Sequence, residues 1–286
     1  MSLKGGYNIF KKKAKKSRKL YCSPKNEKNS YSCFSKDSLI KIINQWNKIN
    51  RSEKIKYSNS SKIPVLWKRI NDKLKSKCYG EWCWIQQDFI RNMGDKEIKA
   101  SFRPKTPKAW YKKKTDWLST IDIENVVNQY EKVHPDFSFI GAVPIDFDYE
   151  YSMGKCIIDE LCKINIEKLI KRNKKKIGVV FNLDKHNQNG SHWICMYMDL
   201  YNNKIYYYDS YGEKPPKEIK ALIDRLLKQG KKIGRNIEYR YNKNRHQYKH
   251  SECGTYCINF IVSLLEGKTF EEMTDDNIND DDMLLK

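Results

Sequence analysis

The stretch HWICMYMDL–YNNK–IYYYDS, residues 192–210, limits the fold of this chain more than any other. Two runs rich in β-branched and aromatic residues flank a short polar turn, which is the pattern of an antiparallel hairpin. Such a hairpin brings its open ends together, so His192 before the first strand meets Asp209 after the second. IGVVFNL (177–183) reads as a further buried strand, and IEYRYN as another. KEIKALIDRLLKQG reads as an amphipathic helix closed by Gly230. SECGTYCINFIVSLLEG reads as a strongly apolar helix, with Ser251 near its start and Gly267 at its end. The order predicts a mixed α/β or α+β core, with α+β favoured, behind a helical, basic amino-terminal extension.

Upstream, SKDSLIKIINQWNKIN places Leu39, Ile42, Ile43 and Trp46 at helical spacing, with Ser35 as the cap. VLWKRINDKLKSK predicts a second helix, and DWLSTIDIENVVNQYEKVHP one from about Ser119 to His134–Pro135. PIDFDYEY (144–151) alternates Asp146, Asp148 and Glu150 with aromatics, and is expected to be a solvated strand edge. Pro104 and Pro107 mark a break. The expected organisation is a flexible Lys-rich arm over 1–32, a helical extension over 33–105 and a catalytic domain over 106–286.

Charge is unevenly placed. The chain has 56 Lys and Arg against 35 Asp and Glu, for a formal net charge of +21. Residues 1–30 hold ten basic side chains and one acid, Glu27, whereas Glu271, Glu272, Asp275, Asp276 and Asp280–Asp282 crowd the other end. A charge of this size attracts polyanions. No apolar run is long enough for a transmembrane helix, and no secretory signal follows the first lysines. Nine cysteines, odd in number and irregularly spaced, point to a reducing compartment and free thiols. Cys22, Cys33, Cys78 and Cys83 offer a zinc alternative, but the spacing is poor. Cys257, one turn after Cys253, reads as core, and His246 and His250 as exposed loop residues.

The chemistry-bearing residues gather at element ends. A helix beginning at Cys253 aims its amino-terminal dipole at its own sulfur, which favours a thiolate, and an adjacent imidazolium favours it further. Asp209 would fix the tautomer of His192. Gln247, in the loop six residues before Cys253, supplies an amide that can donate to a developing oxyanion. Gly254 would let a substrate backbone approach closely.

GSHW, YYYDS and HQYKHSECG, in that order, resemble the signature segments of the clan that joins the SUMO/ubiquitin-like-protein-specific proteases to adenain, the adenovirus protease. The large-DNA-virus members are the most similar. The resemblance covers roughly 115–267. It implies a central mixed sheet flanked by helices, with the nucleophile at a helix amino terminus and a helical basic extension ahead of it. It assigns His192 as general base, Asp209 as its orienting acid, Cys253 as nucleophile and Gln247 as oxyanion donor. Trp193 and Trp117 become the walls of a narrow tunnel for Gly-Gly, although Ser119-Thr120 stand where the family has Asn-Asp. The implied function is a viral cysteine endopeptidase that cuts precursor or core proteins at Gly-Gly-X during virion maturation. No cofactor and no metal are implied. The arm would bind DNA or core proteins, and the enzyme would work in the virion and host cytoplasm. A deconjugase for SUMO or ubiquitin-like proteins stays open, as does a basic binding protein with an inactive protease fold. Gly5-Gly6-Tyr7 is a candidate self-cleavage site.

Overall fold

The computed structural model describes residues 31–78, 80–95, 97–98, 101–102, 117–274 and 280. They fall into two compact units divided after Ser101. Gly5-Gly6-Tyr7 and nearly all of the basic arm lie outside the described residues.

In the first unit, α1 (Lys36–Ile49) buries Leu39, Ile42 and Ile43, and the Ser35 hydroxyl accepts the Ser38 N–H as a cap. Helix α2 (Ile63–Leu74) starts with Pro64 in its first turn and buries Leu66, Ile70 and Leu74. Short helices α3 (Glu81–Gln86) and α4 (Asp88–Arg91) follow. Ser32, assigned to the arm by its sequence, is buried and donates to the Glu81 carboxylate at 2.6 Å.

The second unit is built on one mixed sheet. Its elements are α5 (Thr120–Val133), β1 (Phe137–Pro144), β2 (Glu150–Ser152), β3 (Lys155–Cys156), α6 (Asp159–Cys162) and α7 (Ile166–Lys171). They continue with β4 (Lys176–Asn182), β5 (Trp193–Asp199), β6 (Lys204–Tyr208), α8 (Lys217–Lys232), β7 (Glu238–Tyr241), α9 (Cys253–Leu265) and α10 (Phe270–Thr274). The five-stranded order is β1-β4-β5-β6-β7. β4/β5 and β5/β6 are antiparallel; β1/β4 and β6/β7 are parallel.

Both faces of this sheet are covered, which is why its strands read as nearly unbroken apolar runs. Side chains alternate between the faces. Val180, Trp193, Cys195, Tyr197 and Tyr208 join α5 and α9 on one side. Ile177, Val179, Phe181, Ile194, Met196, Met198, Ile205 and Tyr207 join α8 on the other. Helix α9 is apolar around most of its circumference because it is buried there. At Gly178 of β4, an added Cβ would lie 3.0 Å from Phe137 and 3.3 Å from Ile261 of α9, so glycine sets how closely the helix seats.

Five sequence expectations are corrected. Residues 137–144 form β1, although no strand was read there; PIDFDYEY is largely turn, and only 150–152 are extended. Its acids do not share a solvated face: Asp146 accepts from His186 and Asp148 pairs with Arg225. Helix α8 runs past Gly230 to Lys232, because Gly230 is a packing position against Ile237 and the left-handed residue is Gly234. His246 is buried, not exposed, because its ring is bonded on both nitrogens inside the fold. Not all thiols are free either. Cys78–Cys83 and Cys156–Cys162 are disulfides, with Cα atoms 5.4 and 6.3 Å apart, whereas Cys195, Cys253 and Cys257 are free and buried. The first pair uses two of the thiols proposed as zinc ligands. No group of three or more metal-ligating side chains exists among the described residues. No described helix is long and apolar enough to cross a membrane.

Candidate active site

His192 sits at the mouth of β5 because the preceding loop is tied back to β4. The Asn182 amide oxygen accepts from the backbone N–H groups of Asp184 and Ser191, at 2.9 and 3.2 Å. Asp184 accepts from the Gly190 N–H and the Ser191 hydroxyl. Gly190 has φ +93°, and a Cβ there would come within 2.8 Å of Asn182, so the turn admits only glycine. The Leu183 N–H then donates to the His192 carbonyl at 3.0 Å and closes the loop.

Antiparallel pairing of β5 with β6, Cys195 opposite Tyr208, sets Asp209 beside His192. His192 Nε2 and Asp209 Oδ1 are 2.8 Å apart, and both side chains are buried. Asp209 is itself fixed. Its N–H donates to the Asn242 side-chain oxygen at 2.9 Å, and Asn242 Nδ2 donates to its carbonyl at 2.7 Å. The Tyr211 N–H donates to the same Oδ1 at 2.9 Å. Gly212, at φ +77°, turns the chain so tightly that a Cβ would meet the backbone of Lys243 and Asn244 at 2.9 Å.

Cys253 is the first residue of α9 and is 1 % exposed. The first turn closes with the Tyr256 N–H on the Glu252 carbonyl. The earliest backbone N–H groups of a helix have no intrahelical acceptor and carry the positive end of its dipole. The Cys253 sulfur lies near enough to the His192 imidazole to raise its pKa, as Asp209 does. Burial is the largest single influence on this imidazole and pulls its pKa down. The hydrogen bond to Asp209 and the nearby Cys253 sulfur, with the charges of both, outweigh it and hold the pKa at about 9.

Gln247 is fully buried in the loop before α9. Its N–H and that of His246 donate to the Ser210 carbonyl. The Ser210 hydroxyl donates to Gln247 Oε1 at 2.6 Å, and Gln247 Nε2 donates to the Lys249 carbonyl at 2.7 Å. Ser210 therefore links the Asp209 corner to the Gln247 loop. Trp193 is buried, and its indole N–H donates to the Leu118 carbonyl at 2.9 Å. The adjacent Trp117 is 48 % exposed. Gly254 is packed by the protein itself: an added Cβ would meet Leu118 at 3.1 Å and Trp193 at 3.4 Å.

The structure thus bonds His192 to Asp209 and sets Cys253 near enough to raise the pKa of the same imidazole. Asn242, Ser210 and Tyr211 also belong to the site, although the sequence reading passed over them. Tyr211 and Ser210 immediately follow Asp209, which was a usable signal. Asn242 directly follows β7 and becomes visible only once β7 is paired with β6.

Residues 163–284 match the family model for the Ulp1 protease family, C-terminal catalytic domain. A putative thiol protease of Acanthamoeba polyphaga mimivirus is 34% identical over 277 residues, covering 90% of this chain and 88% of that one. A SUMO-1 cysteine protease of African swine fever virus is 25% identical over 197 residues, covering 66% of this chain and 71% of that one. Among solved structures, the crystal structure of the African swine fever virus protease superposes with a TM-score of 0.56 over 93% of each chain, at 20% identity.

Proposed function

Because the chain belongs to the Ulp1 protease family and is a cysteine protease, we propose that it is a viral endopeptidase that cuts precursor proteins after Gly-Gly during virion maturation. The observation that carries this reading is one buried imidazole, His192, bonded to the buried Asp209 carboxylate and with its pKa raised by the Cys253 sulfur at a helix amino terminus. In this mechanism His192 takes the proton of the Cys253 thiol, so that the sulfur attacks as the thiolate. The sulfur attacks the scissile carbonyl carbon, and the C=O electron pair moves onto oxygen. The Cys253 N–H and the Nε2 proton of Gln247 that is not given to Lys249 donate to that oxyanion. As the intermediate collapses, the C–N bond breaks and His192 delivers its proton to the departing amine. A thioester remains. His192 then takes a proton from water, the hydroxide adds to the thioester carbon, and the C–S bond breaks to release the carboxylate and restore the pair.

Specificity in this reading comes from Trp193 and Trp117, linked through the Leu118 carbonyl. A passage between two indoles admits glycine and excludes larger side chains. The viral origin of two relatives supports precursor processing as the role. Deconjugation of a ubiquitin-like protein is the competing reading, since one relative is named a SUMO-1 cysteine protease. Two assays separate them. The proposal expects a Gly-Gly-X peptide to be cut after the second glycine by the wild type and not by Cys253→Ala. Labelling by SUMO vinyl sulfone without peptide cleavage would establish the deconjugase instead. The basic arm is proposed to bind DNA in the particle, with an affinity that falls steeply as salt rises.

A further inference from the structure

The triad leaves the acidic carboxyl-terminal stretch unused, yet one of its acids is not on the surface. Asp280 is 5 % exposed. Its Oδ2 accepts the backbone N–H of Tyr248 at 3.0 Å and that of Lys249 at 2.8 Å. Its Oδ1 lies 3.1 Å from the Tyr256 hydroxyl, whose single proton is shared with the His246 carbonyl at 2.9 Å. A second grip comes from Thr274, at the end of α10. Its carbonyl accepts from Asn244 Nδ2 at 2.8 Å and faces His246 Nε2 at 3.1 Å.

These contacts converge on residues 244–249, the loop that carries Gln247. Lys249 is the pivot: its N–H is held by Asp280, and its carbonyl, in the next peptide unit, holds one amide proton of Gln247. A carboxylate on two successive backbone N–H groups makes charge-assisted bonds that are shorter and stronger than neutral ones. Asp280 thereby fixes the backbone of the residue whose carbonyl aims Gln247 Nε2. Ser210 fixes the other end of the same amide through Oε1.

We propose that Asp280 is a positioning residue for catalysis, which holds the oxyanion donor Gln247 in place through Lys249. The inference rests on the reading of Gln247 as that donor. It gives the reversal of charge at the end of the chain a mechanical role: a segment beyond the catalytic helix must be in place for the oxyanion site to be formed. Any event that removes or displaces that segment lowers turnover without touching the triad.

The experiment measures kcat and KM of the full chain on a Gly-Gly-X peptide for Asp280→Ala, Asp280→Asn, Gln247→Ala and the Gln247→Ala/Asp280→Ala double variant. Misplacing a transition-state donor by about an ångström costs on the order of 100-fold. Asp280→Ala is therefore expected to lower kcat about 10- to 100-fold with KM changed less than about 3-fold. Asp280→Asn keeps the shape and one neutral acceptor and should fall between, so it answers even where the alanine variant does not fold. Gln247→Ala is expected to lose about 100- to 1000-fold, and adding Asp280→Ala to it should cost little more, because the two act as one unit. If Gln247→Ala is deleterious while Asp280→Asn keeps wild-type kcat, or if the two losses multiply in full, the positioning role is wrong and the oxyanion reading survives. If Gln247→Ala turns over like the wild type, the oxyanion reading itself fails and the proposal falls with it.

Discussion

Tyr211 lies face to face on the His192 imidazole, with ring centroids 4.3 Å apart and planes 4° from parallel. Arg245 stands over the same tyrosine ring at 5.0 Å and over Tyr248 at 5.2 Å. The Tyr211 N–H also donates to Asp209 Oδ1. One residue thus touches both His192 and Asp209.

A ring face stabilises a cation above it by about 0.5–2 kcal/mol. Tyr211→Ala should therefore weaken the imidazolium, move the alkaline limb of the pH–rate profile to lower pH, and reduce kcat about 3- to 30-fold. Tyr211→Phe keeps the ring face and should stay within a few-fold of wild type. Equal losses in the two variants would assign the effect to the hydroxyl instead.

The pKa of His192 sets a second expectation. It rises from an ordinary 6.5 to about 9 in the folded chain, so the native state holds this proton more tightly than the unfolded one. Its stabilising contribution is complete below pH 6.5, shrinks between 6.5 and about 9, and is gone above that. Chemical denaturation of wild type and His192→Gln from pH 6 to 10 should show a stability gap that closes as pH rises. Asp209→Asn removes the hydrogen bond and charge that oppose burial, so its imidazole should titrate lower and the gap should close at lower pH. A gap independent of pH would contradict the assignment.

Gly254 supplies the third. Its neighbours Leu118 and Trp193 leave a new methyl group 3.1 to 3.4 Å from their atoms. Overpacking of this kind costs about 1–3 kcal/mol. It would also displace the indole next to His192. Gly254→Ala should lower the melting temperature by several degrees and raise KM for a Gly-Gly-X peptide, measured by calorimetry and steady-state kinetics. An unchanged KM would separate Gly254 from the substrate passage.

How far the sequence disclosed this arrangement depends on how local each signal was. The HWICMYMDL–YNNK–IYYYDS hairpin carries its own turn, so the meeting of His192 with Asp209 was legible from residues close in sequence. Helix α5 was legible for the same reason: Ser119 caps it, and Asp122 reciprocates. Strand β1 was not. FSFIGAVP carries a glycine in a left-handed conformation at Gly141 and a register shift there, which interrupt the alternation that marks a strand. Its pairing with β4 is parallel and distant in sequence, so no turn announces it. Gly230 misled because a glycine late in an amphipathic run looks like a cap, whereas here it accommodates Ile237. Gln247 was legible from its place six residues before Cys253, but the burial of Asp280 was hidden by its setting. A basic loop and an acidic tail read as solvated until the tertiary contacts between them are seen.

The central claim is that Cys253, activated by His192, is the nucleophile. The most direct measurement incubates the full-length protein with a peptide ending in Gly-Gly and capped by a vinyl sulfone, then maps the adduct by mass spectrometry. The account predicts one adduct per chain, on Cys253, lost in Cys253→Ala and slowed at least about 100-fold in His192→Ala. An adduct that forms on Cys195 or Cys257 instead, or a Cys253 adduct that forms as fast without His192, would contradict it.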